Sequence, residues 1–462
     1  MNIREKLLFG FQQICRLNFG SFEKEEFKKF IRLGLIFSLM IGVHWTLVSL
    51  KDSLFIQLVS SLQLPYARSL SAPFLIPLVI FYNKLFKSSS RDKMMVILPA
   101  FYGCTTLVFG FLISLAQIST ATAPLLFIKV LGYLWYVFVE SYGSLAIVLF
   151  WSFATDLTEP AHAKRGFPLI YAFGQIGGIV IPYSIGGLPY RLHLQTDTLA
   201  IALSGALILL IIPLVKCFLQ KTPAYLLRST FTNHEENKAK KTKPKLLEDL
   251  KTIITNRYLF GIFITVFIHQ IIITVFDFNF KIAASKQYSG VVLSNYFSTY
   301  SACVNTVTLL CLLLGISNIS RYLGIGTSLI VMPLILCCAF LSFLTINTLS
   351  FLFVLLVGSK AINYALNGPV VKQLYIPVSS DIRFKGQAWI DAFGFRISKQ
   401  AGSLFNMSLA PLQTFFGQTT GHLYYLIASS CFVFPLIGLW IIIAIFLSAT
   451  FHKAVEEKIV VC

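Results

Sequence analysis

The sequence predicts an all-α polytopic membrane protein, and three observations predict it. The 462-residue chain is 56% hydrophobic and only 12% charged, about half the charge of an average soluble domain. Its mean hydropathy is +0.76. Its apolar residues, 43 Phe among them, gather in runs of roughly 20 residues, the length that crosses a bilayer as a helix. Within lipid, backbone groups are satisfied only in helices or closed barrels. Barrel strands would alternate over roughly 10 residues, and the long runs exclude them.

The runs define twelve transmembrane helices, at 30–50, 67–86, 95–116, 125–153, 167–188, 198–217, 258–280, 290–315, 324–345, 347–368, 386–412 and 423–448. Loop charge supports this order. One side receives the N-terminus with Arg4, Lys6, Arg16, Lys24, Lys28, Lys29 and Arg32. It also receives Lys84, Lys87, Arg91, Lys93, Lys164, Arg165, Arg321, Lys372, Arg383, Lys385, Lys453 and Lys458. The other side receives "QISTATAP", "INTLS" and "FFGQTTG", which hold no Lys or Arg, and loops with few. By the positive-inside rule both termini are expected in the cytoplasm.

The one long polar segment lies between spans six and seven. It divides the chain into a cytoplasmic amphipathic N-terminus (1–29), a six-helix half (30–217), a basic cytoplasmic linker (218–257), a second six-helix half (258–448) and a cytoplasmic tail (449–462). Two six-helix halves joined this way form a major-facilitator-like plan, which carries its substrate site near the bilayer midplane. The Lys run of the linker suits lipid headgroups. The N-terminal stretch lacks a small-residue cleavage site, so a cleaved signal peptide is not expected.

The net charge of +19 would suggest nucleic acid in a soluble chain. Here most of the excess follows from the positive-inside rule, and the remainder suits an anionic ligand. No nucleic-acid partner is expected. The nine Cys are scattered and form no CxxC pair, so neither a disulfide framework nor a zinc site is expected. No GxxxxGK[ST], HExxH, Rossmann fingerprint or Ser/His/Asp set occurs, which argues against an enzyme and against a bound cofactor. "GQIGGIVIPYSIGG" (174–187) is no phosphate loop. Gly174 and Gly178 form a GxxxG suited to close helix packing, and Pro182 should kink span five.

Ionisable residues within spans cost at least ~2.5–3.5 kcal/mol, so each needs a reason. Four stand out. Lys51 ends span one, with Asp52 beside it. Glu140 lies within span four, in "LWYVFVESYGSLAIVLFW". Asp277 lies late in span seven, in "IIITVFDFNFK". Lys399 lies in span eleven, one helical turn after Arg396. Lys51 either snorkels to the interface or holds something. Lysines in such a cavity bind phosphate as point charges. The carboxylates hold those lysines when the site is empty, or read a donor on the ligand. His44 and His269 precede Lys51 and Asp277 by seven and eight residues, two helical turns along the same faces. They either couple protons or simply pack.

Laid out this way, the chain resembles the ATP/ADP translocases, the nucleotide transporter family of obligate intracellular bacteria and plastids. "LVSLKDSL" (47–54) is similar to the family's LRxxKDxL. "PFLIPLVIFYNKLFKSSSRDK" fits its second span and basic loop. "VESYGSLAIVLFWSFATDLTEPAHAKRGFPL" (139–169) is similar to ELWGS…LFWxFAN…EAKRFYP. "VFDFNFKIAASKQY" (275–288) fits LVExxWKxxxxxQ. "VKQLYIPVSSDIRFKGQAWIDAFGFRISKQAGS" (371–403) is similar to KExxYIPL…KxKGKAAIDVVxxRxGKSGGS. These stretches span both halves, in order.

The resemblance implies exchange of cytosolic ATP for ADP, with Lys residues engaging phosphates. It places the family's functional charges on Lys51, Glu140, Asp277 and Lys399, the four that membrane cost selects. Val48 stands where the family has Arg, Tyr142 where it has Trp, and Asp277 where it has Glu; Gln400 and Ala401 replace the SG of GKSGG. Members also move other nucleotides, NAD, or nucleotides with protons. The alternative is therefore a proton-coupled importer of another nucleotide or NAD. A non-transporting scaffold or sensor is a third possibility. The fold implies a monomer in the lipid bilayer, and the family implies a bacterial inner membrane before a plastid envelope.

Overall fold

The computed structural model describes residues 22–88, 91–118, 124–226, 253–314, 324–346, 348–379, 386–387, 389–390 and 394–457. The N-terminal stretch before Phe22, most of the basic linker, Arg321, Arg383, Lys385 and Lys458 lie outside these residues, as do the side chains of Lys84, Lys87, Arg91 and Lys164.

The described residues are helical throughout, with no strand among them. In order they form α1 (Lys24–Leu58), α2 (Leu64–Ser88), α3 (Arg91–Ile118), α4 (Leu125–Asp156), α5 (Pro160–Ile181) and α6 (Thr198–Lys221). There follow α7 (Arg257–Gln287), α8 (Gly290–Leu313), α9 (Gly324–Thr345), α10 (Leu349–Ile362), α11 (Phe395–Asn406), α12 (Leu409–Phe416) and α13 (Gln418–Glu456). Among the described residues ten helices are long and apolar enough to cross a membrane. The two other expected spans meet different fates. The second is α2, whose side chains are described only in part. The eleventh is broken at Met407–Ser408 into α11 and α12.

Local chemistry explains the helix ends. Glu25 and Glu26 sit in the first turn of α1, where the helix dipole favours them. The Glu26 carboxylate accepts the Glu23 backbone N–H at 3.4 Å. Asn256 caps α7 by accepting the N–H groups of Tyr258 and Leu259 at 2.9 and 3.1 Å. Helix α5 gives way at Pro182 to a wide π-type turn, Pro182–Gly186. Proline has no N–H to continue the regular ladder, so the kink expected at Pro182 takes this form.

The chain forms two compact units. The first comprises residues 1–59, 73–240 and 289–309, and the second 60–72, 241–288 and 310–462. Two of their divisions fall inside α2 and α8. In the first unit α5 lies along α1. Gly174 packs on Phe37, and a Cβ at Gly177 would overlap the Ser38 carbonyl oxygen. The close approach expected of the glycine motif is thus realised, with Gly177 at its tightest point. Trp135, Leu149, Phe150 and Phe153 of α4 are fully buried in the same core.

A polar seam ties the first part of α8 into this unit. Ser49 lies 2.8 Å from Ser301 Oγ and donates to the Phe297 carbonyl at 3.1 Å. Ser294 lies 2.8 Å from Ser53 Oγ and donates to Asp197 at 2.7 Å. Gln57 donates to the Gly290 carbonyl at 3.1 Å. Serine is small enough to let helices approach and leaves a hydroxyl to bond across the gap.

Candidate substrate-binding charges

Both units hold charge within their helices at positions that the sequence singles out. In the first unit Lys51 is 2% exposed. Its ammonium does not snorkel. It meets Glu140 Oε1 of α4 at 2.8 Å and Asp52 Oδ1 at 3.2 Å. It also lies over the Tyr136 ring, 3.8 Å from the centroid, a cation–π contact strengthened by desolvation. Two carboxylates thus share one ammonium. Removing one partner of such a buried pair strands the other charge, which costs ~3–5 kcal/mol. The Glu140 side chain remains 24% exposed, so this carboxylate is the member of the group that solvent or a ligand reaches.

The same unit accounts for Tyr142 and His44. Tyr142 is buried, its ring 5.2 Å from that of Tyr102. The His44 ring lies 6.5 Å from Tyr142 and 6.1 Å from Trp45. It fills the space left by Gly143, where a Cβ would overlap it.

In the second unit Asp277 is surrounded. Lys281 Nζ, one turn further along α7, meets its Oδ2 at 2.6 Å. Arg68 NH2 of α2 meets the same oxygen at 3.2 Å. Lys360 Nζ of α10 meets Oδ1 at 3.0 Å. Three cations therefore converge on one carboxylate. Gln400 of α11 donates from Nε2 to the Arg68 carbonyl at 3.1 Å, so it positions the guanidinium's backbone. Its neighbour Lys399 lies 5.3 Å from the Phe395 ring centroid. Arg396 is partly buried one turn earlier on α11. His269 packs its ring 5.7 Å from that of Trp440.

The structure thus brings together Lys51 and Glu140, and it adds Tyr136 to them. It surrounds Asp277 with Arg68, Lys281 and Lys360, none of which the sequence analysis singled out. The signal was present for each. Lys360 stands within the apolar run "FLFVLLVGSKAINYALNG", and Lys281 follows Asp277 at the i+4 spacing of helical ion pairs. Arg68 opens the second expected span. Among the described residues no group of three His, Cys, Asp or Glu is placed to hold a metal ion.

Long apolar helices that bury paired charge define the class: a multi-pass membrane protein with a transporter fold. Solved structures support the fold. The nucleoside transporter NupG superposes with a TM-score of 0.54 at 16% identity, over 93% of this chain and 99% of that one. A D-xylose–proton symporter gives 0.56 at 14%, over 91% and 96%. A bacterial ferroportin homologue gives 0.59 at 11%, over 94% and 99%.

The chain belongs to the TLC ATP/ADP transporter family, whose model matches residues 11–451. Curated relatives are similar over most of their length. The ADP,ATP carrier protein 1 of Rickettsia prowazekii is 23% identical, over 86% of this chain and 88% of the relative. The plastidic ATP/ADP-transporter of Solanum tuberosum is 26% identical, over 84% and 68%. These relatives are carriers, not enzymes.

Proposed function

We propose that this protein exchanges ATP for ADP across a membrane by alternating access. The observation that carries the reading is a conjunction. The chain matches an ATP/ADP transporter family over residues 11–451, and ionisable groups lie inside its helices, buried at Lys51, Asp277 and Lys281 and half-buried at Glu140 and Lys360. Buried charge is expensive in a bilayer and marks a substrate path.

Lys51 and Lys399 engage phosphates, and Glu140 and Asp277 act as coupling acids. In the empty carrier Glu140 and Asp52 neutralise Lys51. A nucleotide's phosphate chain competes for the ammonium and releases Glu140, so the loaded and empty carriers differ in where charge is satisfied. That difference favours exchange over leak. The working halves are residues 30–217 and 258–448, each of six spans, joined by the basic linker. Both termini face the cytoplasm of a bacterial inner membrane, and the carrier acts as a monomer.

The test is uptake of radiolabelled ATP into liposomes holding the purified protein, preloaded with ADP or left empty, with unlabelled GTP, CTP, NAD and phosphate as competitors. Uptake that requires internal ADP and yields only to ATP and ADP is the expected result. Uptake without internal ADP, driven by an imposed pH gradient, would overturn exchange in favour of proton-coupled import.

A further inference from the structure

We propose that Asp197 is a proton-binding site that latches the polar seam between α1 and α8: the seam holds while the carboxyl is protonated and parts when the proton leaves. The proposal rests on the alternating-access reading for what the parting accomplishes. Its geometry stands on the first unit alone.

Asp197 stands immediately before α6 and is fully buried. Its Oδ2 accepts from Ser294 Oγ of α8 at 2.7 Å and from Gln57 Nε2 of α1 at 3.5 Å. The same Gln57 amide donates to the Gly290 carbonyl at the start of α8, at 3.1 Å. Gln57 Oε1 accepts from Gln117 Nε2 of α3 at 3.4 Å. One carboxyl thus joins the ends of four helices, α1, α3, α6 and α8. Gln117 opens "QISTATAP", a loop without Lys or Arg.

The network is short of a hydrogen. Asp197 Oδ1 and Gln117 Oε1 are buried acceptors that receive no donor among the described residues. Buried polar atoms left this way cost free energy. A proton on the Asp197 carboxyl removes its charge and supplies a donor. Without that proton a negative charge sits among neutral groups, an expensive state away from water.

The ionisable groups nearby do not relieve it, and among the described residues none forms an ion pair with Asp197. On its own segment Arg191 and His193 are exposed, with Arg191 over the Tyr183 ring at 4.6 Å. On α1, Lys51 and Asp52 lie 3.2 Å from each other. On α3 no Asp, Glu, Lys, Arg or His follows Lys93, and on α6 none precedes Lys216. Helix α8 has none, and its ionisable side chains are Tyr296, Tyr300, Cys303 and Cys311. Burial accordingly raises the Asp197 carboxyl from 3.8 to about 6, close to neutral pH.

The sign follows. The closed seam favours the protonated form, so its advantage is complete at low pH and is lost as the pH rises through about 6. Parting of α1 from α8 admits water to the ionised carboxylate and relieves its desolvation. Proton release therefore makes opening easier.

The experiment is ATP uptake into ADP-loaded liposomes, with equal pH on both sides, from about pH 5 to about pH 8. Wild type is compared with Asp197→Asn and Ser294→Ala. Asp197→Asn is neutral at every pH and keeps the seam latched. The ratio of wild-type to Asp197→Asn rates cancels the titration of the nucleotide's own phosphates. It should rise about threefold or more across this range, with its midpoint near 6. Ser294→Ala removes a donor that the ionised form needs, so its midpoint should move to higher pH. A ratio level with pH, or a midpoint indifferent to Ser294→Ala, overturns the proposal. Should Asp197→Asn fail to fold, the Ser294→Ala midpoint decides.

A second measurement needs no transport. The Ser49 and Ser301 hydroxyls lie 2.8 Å apart in the same seam. In the full-length protein carrying Ser49→Cys and Ser301→Cys, disulfide bridging is read from the linked peptides by mass spectrometry at one fixed pH of about 8. Adding Asp197→Asn should speed bridging about threefold or more, and equal bridging overturns the latch. The two readings fail separately. Faster bridging without ADP-dependent uptake at any pH removes the exchanger and leaves the latch. ADP-dependent uptake with a level ratio removes the latch and leaves the exchanger.

Discussion

The two charge clusters differ in composition among the described residues. In the first unit two carboxylates, Asp52 and Glu140, share one ammonium, Lys51. In the second, three cations share one carboxylate, Asp277. Each group is held together by the same kind of contact, a charge-assisted bond in a low-dielectric interior. Among the described residues they differ in composition: the first gathers two acids around one ammonium, the second three cations around one carboxylate.

The comparison breaks most sharply at Lys51. Lys51→Ala leaves Asp52, buried, and Glu140, half-buried, without their shared cation. Loss of stability of about 3–5 kcal/mol and exchange reduced to background are expected, measured by thermal melting in detergent and by liposome uptake. A variant that still exchanges at the wild-type rate would remove Lys51 from the transport machinery.

A third carboxyl sharpens the contrast. Asp197, just before α6, is fully buried and among the described residues accepts from uncharged donors, Ser294 at 2.7 Å and Gln57 at 3.5 Å. Burial pushes its carboxyl up from the ordinary 3.8 to about 6. The stability that the protonated form contributes is therefore complete below 3.8 and is lost as the pH rises through about 6. The loss is on the order of 3 kcal/mol. Melting temperatures recorded across this window should fall with rising pH in wild type and stay level in Asp197→Asn. A level wild-type profile would mean that the carboxyl titrates normally.

Glu140→Gln should cost less, about 2 kcal/mol, because Asp52 remains 3.2 Å from the ammonium. Its effect on melting should lie between those of wild type and Lys51→Ala. Lys281→Gln should cost the least, about 1 kcal/mol, since Arg68 and Lys360 still neutralise Asp277. If Lys281→Gln melts as early as Lys51→Ala, Arg68 and Lys360 do not suffice to neutralise Asp277 and the contrast between the units fails.

Much of the site was legible one residue at a time. Lys51, Glu140 and Asp277 declare themselves because an ionisable group within an apolar run is costly wherever it stands. Arg68, Lys281 and Lys360 satisfy the same criterion, yet their significance depends on a common target. Arg68 and Asp277 are separated by 209 positions, and Lys360 and Asp277 by 83. No periodicity connects residues so distant. The glycine motif followed the same pattern. Its spacing announced close packing, but only the structure shows that Gly177, between the two glycines of the motif, meets the Ser38 backbone.

The sequence by itself determined that the chain crosses a membrane as helices, because hydropathy over roughly 20 residues acts on each segment independently. It also determined the family, since the motifs survive in order along the chain. Tertiary structure alone decided which helix ends belong together. The compact units take 60–72 into the second and 289–309 into the first, because Arg68 is drawn to Asp277 and the serines of α8 bond to those of α1. It alone decided which charges meet in each cluster as well. A buried charge is fixed by composition, but its neutralisation depends on which partners the packing brings within about 3 Å.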